Sequence, residues 1–224
     1  MAETITHGIV LEIYQNEENL FLVSFFTSQG KLVLAAQGLD KPLSKNRVNL
    51  QIGSLVEIEY FKARLEGKIG KLKKAHLLKS IDISDTKNAQ FVEKITKLLQ
   101  NFTSSNHLMG FLPQLYSLIS PLNNDRILTF LYAQSLIYFG IAPNFNSCRI
   151  CLNMKNLIDF DLLAGGFICN RHGQKETDKS MEYLQAIWCS FHSLKKYLIF
   201  TNNSLNQKIL IQYKEAIIDN GYFI

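Results

Sequence analysis

Three of the four cysteines in this chain lie close together, and a histidine follows the last of them. Cys148 and Cys151 form a C-x2-C pair, Cys169 and His172 form a C-x2-H pair, and 17 residues separate the two pairs. This separation is typical of paired zinc knuckles. Two intervening residues let the chain turn so that both side chains reach one ion, and tetrahedral zinc takes four such ligands. The pattern predicts one structural Zn2+ in a ribbon at about residues 145–175.

The spacing of the cysteines is also compatible with arrangements that hold no metal. The four residues could meet by chance, with the cysteines packed as small apolar side chains. Disulfides are disfavoured, because three cysteines and a histidine do not pair and a reducing compartment keeps thiols free. The fourth cysteine, Cys189, is expected to be a buried structural thiol. The alternative is that Cys189 is a nucleophile paired with His192, but no catalytic sequence motif surrounds these two residues.

The sequence carries no recognisable catalytic pattern. It has no G-x-x-x-x-G-K-[ST], G-x-G-x-x-G or H-E-x-x-H motif. A closed Cys3His set leaves no position for a reactive water, so catalysis by the metal is not expected. No apolar run is long enough for a transmembrane helix, and the N-terminus does not resemble a secretory signal. We therefore expect a cytoplasmic protein that is not an enzyme.

The first 80 residues show the two-residue period of β-strands. In LVEIEYF, for example, Val56, Ile58 and Tyr60 alternate with Glu57 and Glu59. Five such runs with turn residues between them predict a small five-stranded barrel, compatible with the OB-fold. Two glycines and a break in the alternation of GKIGKLKKAHLL predict a bulge or bend in the fifth strand. The segment LDKPLSKNRVNLQIGS is expected to be a polar basic loop between the third and fourth strands.

After residue 80 the apolar residues follow helical spacing instead. One such stripe, expected to face the core, consists of Leu184, Ile187, Trp188, Phe191 and Leu194. The predicted fold class is therefore α+β, with an OB-fold barrel in residues 1–80 and an α-helical domain in residues 81–224. The zinc ribbon is inserted within the helical domain.

The positive charge of the chain is concentrated in one region. Residues 31–79 contain eleven basic and four acidic residues, a net charge of +7, whereas the rest of the chain has thirteen basic and fifteen acidic residues. The patch could be an ordinary solvated face, or a surface for a polyanion such as nucleic acid. The candidates for phosphate contacts are Lys31, Lys41, Lys45, Arg47, Lys62, Arg64, Lys71, Lys73 and Lys74. Tyr60 and Phe61 are the candidates for base stacking, with burial in the barrel as the alternative.

The order of these parts resembles the RecO family of bacterial recombination mediators. The segments HGIVLEIY, NLFLVSFFTSQGKLVLAAQGLDKP and SLVEIEYF are similar to the opening strands of that family. LIYFGIAPNFNSCRIC and DFDLLAGGFIC resemble its first cysteine pair and the Gly-Gly before its second pair. The resemblance covers most of the chain, and the combination of C-x2-C, Gly-Gly and C-x2-H is its most specific part. Many family members have cysteine where this chain has His172.

The resemblance implies a bacterial, nucleoid-associated protein that binds single- and double-stranded DNA and anneals complementary strands. It further implies binding to RecR and to the acidic tail of single-stranded DNA-binding protein, loading of RecA, and no membrane partner. Lys94, Lys97 and Arg126 are the candidates for contacting that tail. One alternative is a zinc-stabilised OB-fold module that binds RNA or serves as an interaction module. Another is a hydrolase with an unrecognised site, for which the sequence offers no positive feature.

Overall fold

The computed structural model of the protein describes residues 3–16, 20–41, 44–65, 67–104, 106–174 and 179–224. The chain forms two compact units, Met1–Pro121 and Leu122–Ile224. Within the described ranges, every helix is too short or too polar to cross a membrane.

Five strands close into a barrel in the first unit. They are β1 (Glu3–Gln15), β2 (Phe21–Thr27), β3 (Gly30–Ala36), β4 (Leu55–Phe61) and β5 (Gly70–Lys79). Their order around the barrel is β1-β2-β3-β5-β4, with a parallel pairing only between β3 and β5 among the described strands. The alternation in β4 places Val56, Ile58 and Tyr60 in the barrel core. The predicted OB-type barrel is thus confirmed.

The predicted irregularity in the fifth strand is a bulge at Lys73. Glu59 of β4 pairs with Lys74, whereas the next residue, Tyr60, pairs with Leu72, so that Lys73 has no partner in the register. As a result Lys73 and Lys74 are both exposed although they are neighbours in a strand.

The segment expected to be a loop between β3 and β4 contains a short helix, α1 (Lys45–Asn49). This helix lies against β5, where the β3–β5 pairing is only two residue pairs long. The side-chain oxygen of Asn46 accepts a hydrogen bond from the backbone N–H of Ala75 at 3.0 Å, and that of Asn49 accepts one from Leu77 at 3.4 Å. Five residues are too few to show helical periodicity, which is why the sequence pattern indicated a loop.

Further helical elements belong to the same compact unit as the barrel. They are α2 (Thr86–Gln100), a 3-10 turn (Leu108–Gly110) and α3 (Leu112–Leu115). The ring of Phe102, just after α2, packs edge-on against Phe26 of β2 at 5.8 Å. The hydroxyl of Tyr116 donates to the carbonyl of Gly53 at 2.5 Å. The first compact unit thus extends to Pro121, and the domain boundary predicted after residue 80 stays a prediction.

The second unit consists of helices around a two-stranded hairpin. Its elements are α4 (Asn124–Ser135), a 3-10 helix (Leu136–Phe139), β6 (Leu157–Asp161), β7 (Gly166–Cys169), α5 (Met181–His192), α6 (Leu194–Phe200) and α7 (Asn203–Asp219). The 3-10 helix ends at Gly140, whose positive φ of 77° suits glycine. The predicted α+β class, with a ribbon between helices, is confirmed.

The predicted apolar stripe of α5 is wrong at one residue. Leu184 and Ile187 are buried, but Trp188 is 36% exposed. Helix α5 ends at His192, and Leu194 begins the separate helix α6. Trp188 thus lies at the edge of the apolar stripe, partly covered and partly open to solvent.

Candidate metal centre and nucleic-acid interface

Two tight turns present the four predicted ligands. In the first turn the N–H of Leu152 donates to the carbonyl of Cys148 at 2.8 Å. In the second, the N–H groups of His172 and Gly173 both donate to the carbonyl of Cys169 at 2.9 Å. The hairpin of β6 and β7 joins the turns, and we call residues 144–173 the cysteine ribbon. The local sequence folds this way because two residues between ligands are enough for a turn that points both side chains to one side.

The four ligand atoms converge on one point. The Sγ atoms of Cys151 and Cys169 are 3.7 Å apart, and Nδ1 of His172 lies 3.6 Å from Sγ of Cys148 and 3.5 Å from that of Cys169. Around a tetrahedral zinc, two sulfurs would be about 3.8 Å apart, and a sulfur and a nitrogen about 3.6 Å apart. All four atoms lie within 4.8 Å of one another, so the group can hold a metal ion.

A close backbone contact behind the ligands explains the Gly-Gly pair of the ribbon. The N–H of Asn144 donates to the carbonyl of Gly165 at 2.9 Å, and the N–H of Phe167 donates to the carbonyl of Asn144 at 3.1 Å. Gly166 lies between them with φ at 120°, and a Cβ there would collide with the backbone of Asn144. Asn144 is thus a structural residue that sequence reasoning missed, because its partner is 22 positions away and no periodicity marks it.

The surroundings of the first knuckle favour a thiolate. Burial raises the pKa of Cys148, but the backbone N–H groups of Cys151 and Cys169, with that of the intervening Ile150, outweigh it and lower this pKa to about 6. A thiolate is the form that binds zinc. At Cys189, by contrast, burial raises the pKa.

The alternative of a Cys189–His192 nucleophile does not fit the structure. Cys189 is 1% exposed. The two ring nitrogens of His192 instead contact the carbonyl of Trp188 and Oδ1 of Asn146, each at 2.7 Å. The imidazole therefore is not positioned to take the proton of the buried thiol.

All nine basic residues predicted to contact phosphate are exposed. Several lie on neighbouring elements of the barrel: Lys45 and Arg47 on α1, and Lys71, Lys73 and Lys74 on β5, against which α1 lies. Lys62 and Arg64 follow β4 at the end where Phe61 pairs with Lys71. Lys31 lies on β3, three residues before Leu34, the first residue of β3 that pairs with β5, and it is opposite Phe26 of β2.

Acidic side chains already neutralise part of this surface. The ammonium of Lys73 lies 2.7 Å from a carboxylate oxygen of Glu3 and 3.4 Å from one of Glu59. Lys74 is 3.9 Å from Glu59. The hydrogen bond that Lys73 donates to Glu3 is the main cause of its raised pKa, and the lysine stays charged. Lys45 and Lys71, for which the structure shows no such ion pair among the described residues, are the stronger candidates for binding phosphate.

A groove opens beside α1. At the edge of this groove, the guanidinium of Arg47 donates a hydrogen bond to the backbone carbonyl of Asp40 at 3.2 Å. The groove has a volume of about 480 Å3 and is lined by Ile13, Phe21, Leu39, Asp40, Arg47 and Leu50. Sequence reasoning did not identify this groove, because its walls come from four separate segments of the chain.

The two predicted stacking residues have different positions. Tyr60 is 8% exposed in the barrel core, and burial raises the pKa of its hydroxyl. The prediction that Tyr60 stacks on a base is therefore wrong, since the alternation of β4 turns its ring inward. Phe61, the next residue, points to the other side and is half-buried. Phe61 stays a candidate.

The three residues predicted to contact an acidic partner tail do not belong to one unit. Lys94 and Lys97 are exposed on α2 of the first unit, with Lys97 paired to Glu93 at 2.8 Å. Arg126 lies on α4 of the second unit, where its guanidinium donates to the carbonyl of Leu198 at 3.1 Å and to Oδ1 of Asn203 at 3.0 Å. Arg126 thus connects helices of its own unit.

The fold and the cysteine cluster define a class: OB-fold proteins with a basic barrel and a metal-binding ribbon inserted among C-terminal helices. Residues 1–81 match the family described as "Recombination protein O N terminal". The chain is 25% identical over 177 residues to "DNA repair protein RecO" of Bacillus cytotoxicus, an alignment that covers 75% of this chain and 70% of the relative. The proteins of the same name from Bacillus mycoides and Bacillus cereus are 24% identical to this chain over 177 residues, and these alignments also cover 75% of this chain and 70% of each relative. The chain is thus similar to RecO proteins over most of its length, and its first 81 residues match the N-terminal part of that family.

Proposed function

We propose that this protein is a DNA repair and recombination mediator that binds single- and double-stranded DNA and anneals complementary strands. With RecR, it helps to load RecA onto DNA coated by single-stranded DNA-binding protein, whose acidic tail it contacts. The observation that carries the proposal is the OB-fold barrel, which matches the N-terminal RecO family model and has exposed cations on α1 and β5. Such a protein acts without catalysis, in the bacterial cytoplasm at the nucleoid.

The barrel supplies a physical mechanism for binding and annealing. Lysines and arginines neutralise phosphates and release counterions, which gives sequence-tolerant affinity that falls with salt. Two strands held on one cationic surface repel each other less and can pair. Phe61 adds base stacking at the edge of this surface. Lys94, Lys97 and Arg126 are the proposed cations for the acidic tail; Lys97 already pairs with Glu93, and Arg126 is hydrogen-bonded within the second unit.

The metal in this proposal is one structural Zn2+. The soft donor set of three cysteines and one histidine, at spacings that match a tetrahedral ion, supports zinc over harder cations. The four side chains fill the tetrahedron and leave no position for a substrate. Zinc bound here holds the two turns of the cysteine ribbon together and takes no part in strand exchange.

A salt titration of binding to a single-stranded oligonucleotide tests the DNA-binding step. We expect the double variant Lys45→Glu/Lys71→Glu to bind more weakly, and the slope of log K against log salt to fall by about 1.4 for two lost contacts. Lys208→Glu, an exposed charge reversal on α7, is the matched control and should leave the slope unchanged.

Annealing of complementary strands coated with single-stranded DNA-binding protein tests the mediator step. Wild-type protein should accelerate it, and the double variant should not. Preference for structured RNA with no annealing would contradict the proposal and favour an RNA-binding module.

A further inference from the structure

An exposed stack of aromatic and cationic side chains lies on α5 and α6 of the second unit. The imidazole of His192 lies parallel to the indole of Trp188, with 4.1 Å between ring centroids and 11° between planes. The ammonium of Lys196 lies 5.7 Å from the centroid of the indole. We call Trp188, His192 and Lys196, with the exposed Lys195, the tryptophan shelf.

Contacts of His192 with neighbouring residues fix the position of the tryptophan shelf. The two ring nitrogens of His192 contact the carbonyl of Trp188 and Oδ1 of Asn146, each at 2.7 Å. The ring of Phe145 meets that of His192 edge-on at 5.4 Å and stacks on Phe191 at 4.8 Å. A ligand that binds the indole therefore meets a side chain whose position is already fixed, which lowers the entropy lost on binding.

The indole lies at the edge of the core. Leu184 and Ile187 are 5% and 0% exposed and fill the buried face of α5, whereas Trp188 is 36% exposed. His192 covers one face of the indole and the ammonium of Lys196 lies over the ring, so a ligand can reach only the part of the indole that these two side chains leave exposed. A large flat apolar surface beside two lysines is the arrangement that binds nucleobases attached to phosphates.

We propose that Trp188 is a stacking site for a base of single-stranded DNA, with Lys195 and Lys196 contacting the flanking phosphates. Charge complementarity selects this ligand, because a polyanion with exposed aromatic faces matches both the indole and the lysines. Double-stranded DNA keeps its bases stacked inside the helix and cannot present a face to the shelf. The proposal rests on the proposed DNA-binding function and assigns the second unit a part in it.

The chain contains a single tryptophan, so the tryptophan fluorescence of the protein comes from this site alone. The full-length zinc-loaded protein is titrated with a single-stranded oligothymidylate, and Trp188 emission and the anisotropy of a labelled strand are recorded together. We expect the emission to be quenched in step with binding. An abasic strand of equal length keeps the phosphates but lacks the rings, and it should bind without comparable quenching.

Substitutions test whether the shelf contributes to affinity. Trp188→Ala should weaken binding of the oligothymidylate roughly 5- to 160-fold, and Trp188→Phe, which keeps a ring, should lose less. Ile199→Ala, which removes a 68% exposed apolar side chain from α6, is the matched control and should bind as wild type. Thermal unfolding of each variant checks that it is folded.

The outcomes separate this proposal from the proposed function. If the strand binds, the emission is unchanged and Trp188→Ala retains wild-type affinity, the shelf is not a base-binding site although the protein binds DNA. Equal quenching by the abasic strand would also overturn stacking. If no strand binds at low salt, the proposed function itself fails.

Discussion

Gly166 is the residue of the cysteine ribbon with the least room for a side chain. Its φ of 120° disfavours any L-residue, and a Cβ would collide with the backbone of Asn144. Asn144 cannot retreat without breaking its hydrogen bonds to Gly165 and Phe167. We expect Gly166→Ala to destabilise the protein by about 3 kcal/mol or more, since strain and a backbone clash combine.

Gly165→Ala is the control for this prediction. Gly165 also has a positive φ, 99°, but the nearest atom to its Cβ is a side-chain carbon of Arg149 at 3.9 Å. Only conformational strain of about 1–2 kcal/mol is expected there. Chemical denaturation of the two zinc-loaded variants measures the difference, and equal losses would show that the contact with Asn144 is unimportant.

At the scale of elements, α1 is held in place by its asparagines. The side chain of Asn46 satisfies the backbone N–H of Ala75, which otherwise would have no acceptor where the β3–β5 pairing has ended. We expect Asn46→Ala to destabilise the first unit by about 1–2 kcal/mol, because it leaves a partly buried donor unpaired. Val48→Ala, on the same helix but 63% exposed, should change stability little. Equal effects in denaturant unfolding would contradict this role.

The elements differ in how far the sequence predicts them. Alternation predicted the barrel strands, and the broken alternation in β5 predicted its bulge, because burial on one face leaves a period of two. Helix α1 is too short for such a signal and depends on contacts with β5. The ligand set followed from local spacing, whereas the close approach of Asn144 to Gly166 is a long-range contact. Trp188 fitted the apolar period of α5, but periodicity cannot tell a core residue from an exposed one at the edge of the stripe.

At the scale of the whole molecule, the basic surface and the candidate metal site lie in different compact units. The excess of basic residues lies in residues 31–79 of the first unit, and the four metal ligands lie in the second. The ligands are far in sequence from the barrel and share no element with it. Salt should therefore weaken the contacts of the basic barrel with DNA, whereas chelators should act first on the fold of the second unit.

Removal of zinc should unfold the cysteine ribbon and leave the barrel intact. The ribbon has a hairpin of only four to five residues a strand, too short to be stable alone, so most of its stability must come from the metal. Hydrogen exchange before and after chelation should show lost protection at Phe167 and Cys169 but not at Val10 or Val23, whose strands close the barrel. Cys148→Ser should reproduce the pattern without chelator. Equal loss of protection in both units would mean that zinc stabilises the whole chain as one cooperative structure, and protection that survives throughout would show that the Cys3His cluster holds its shape without a metal.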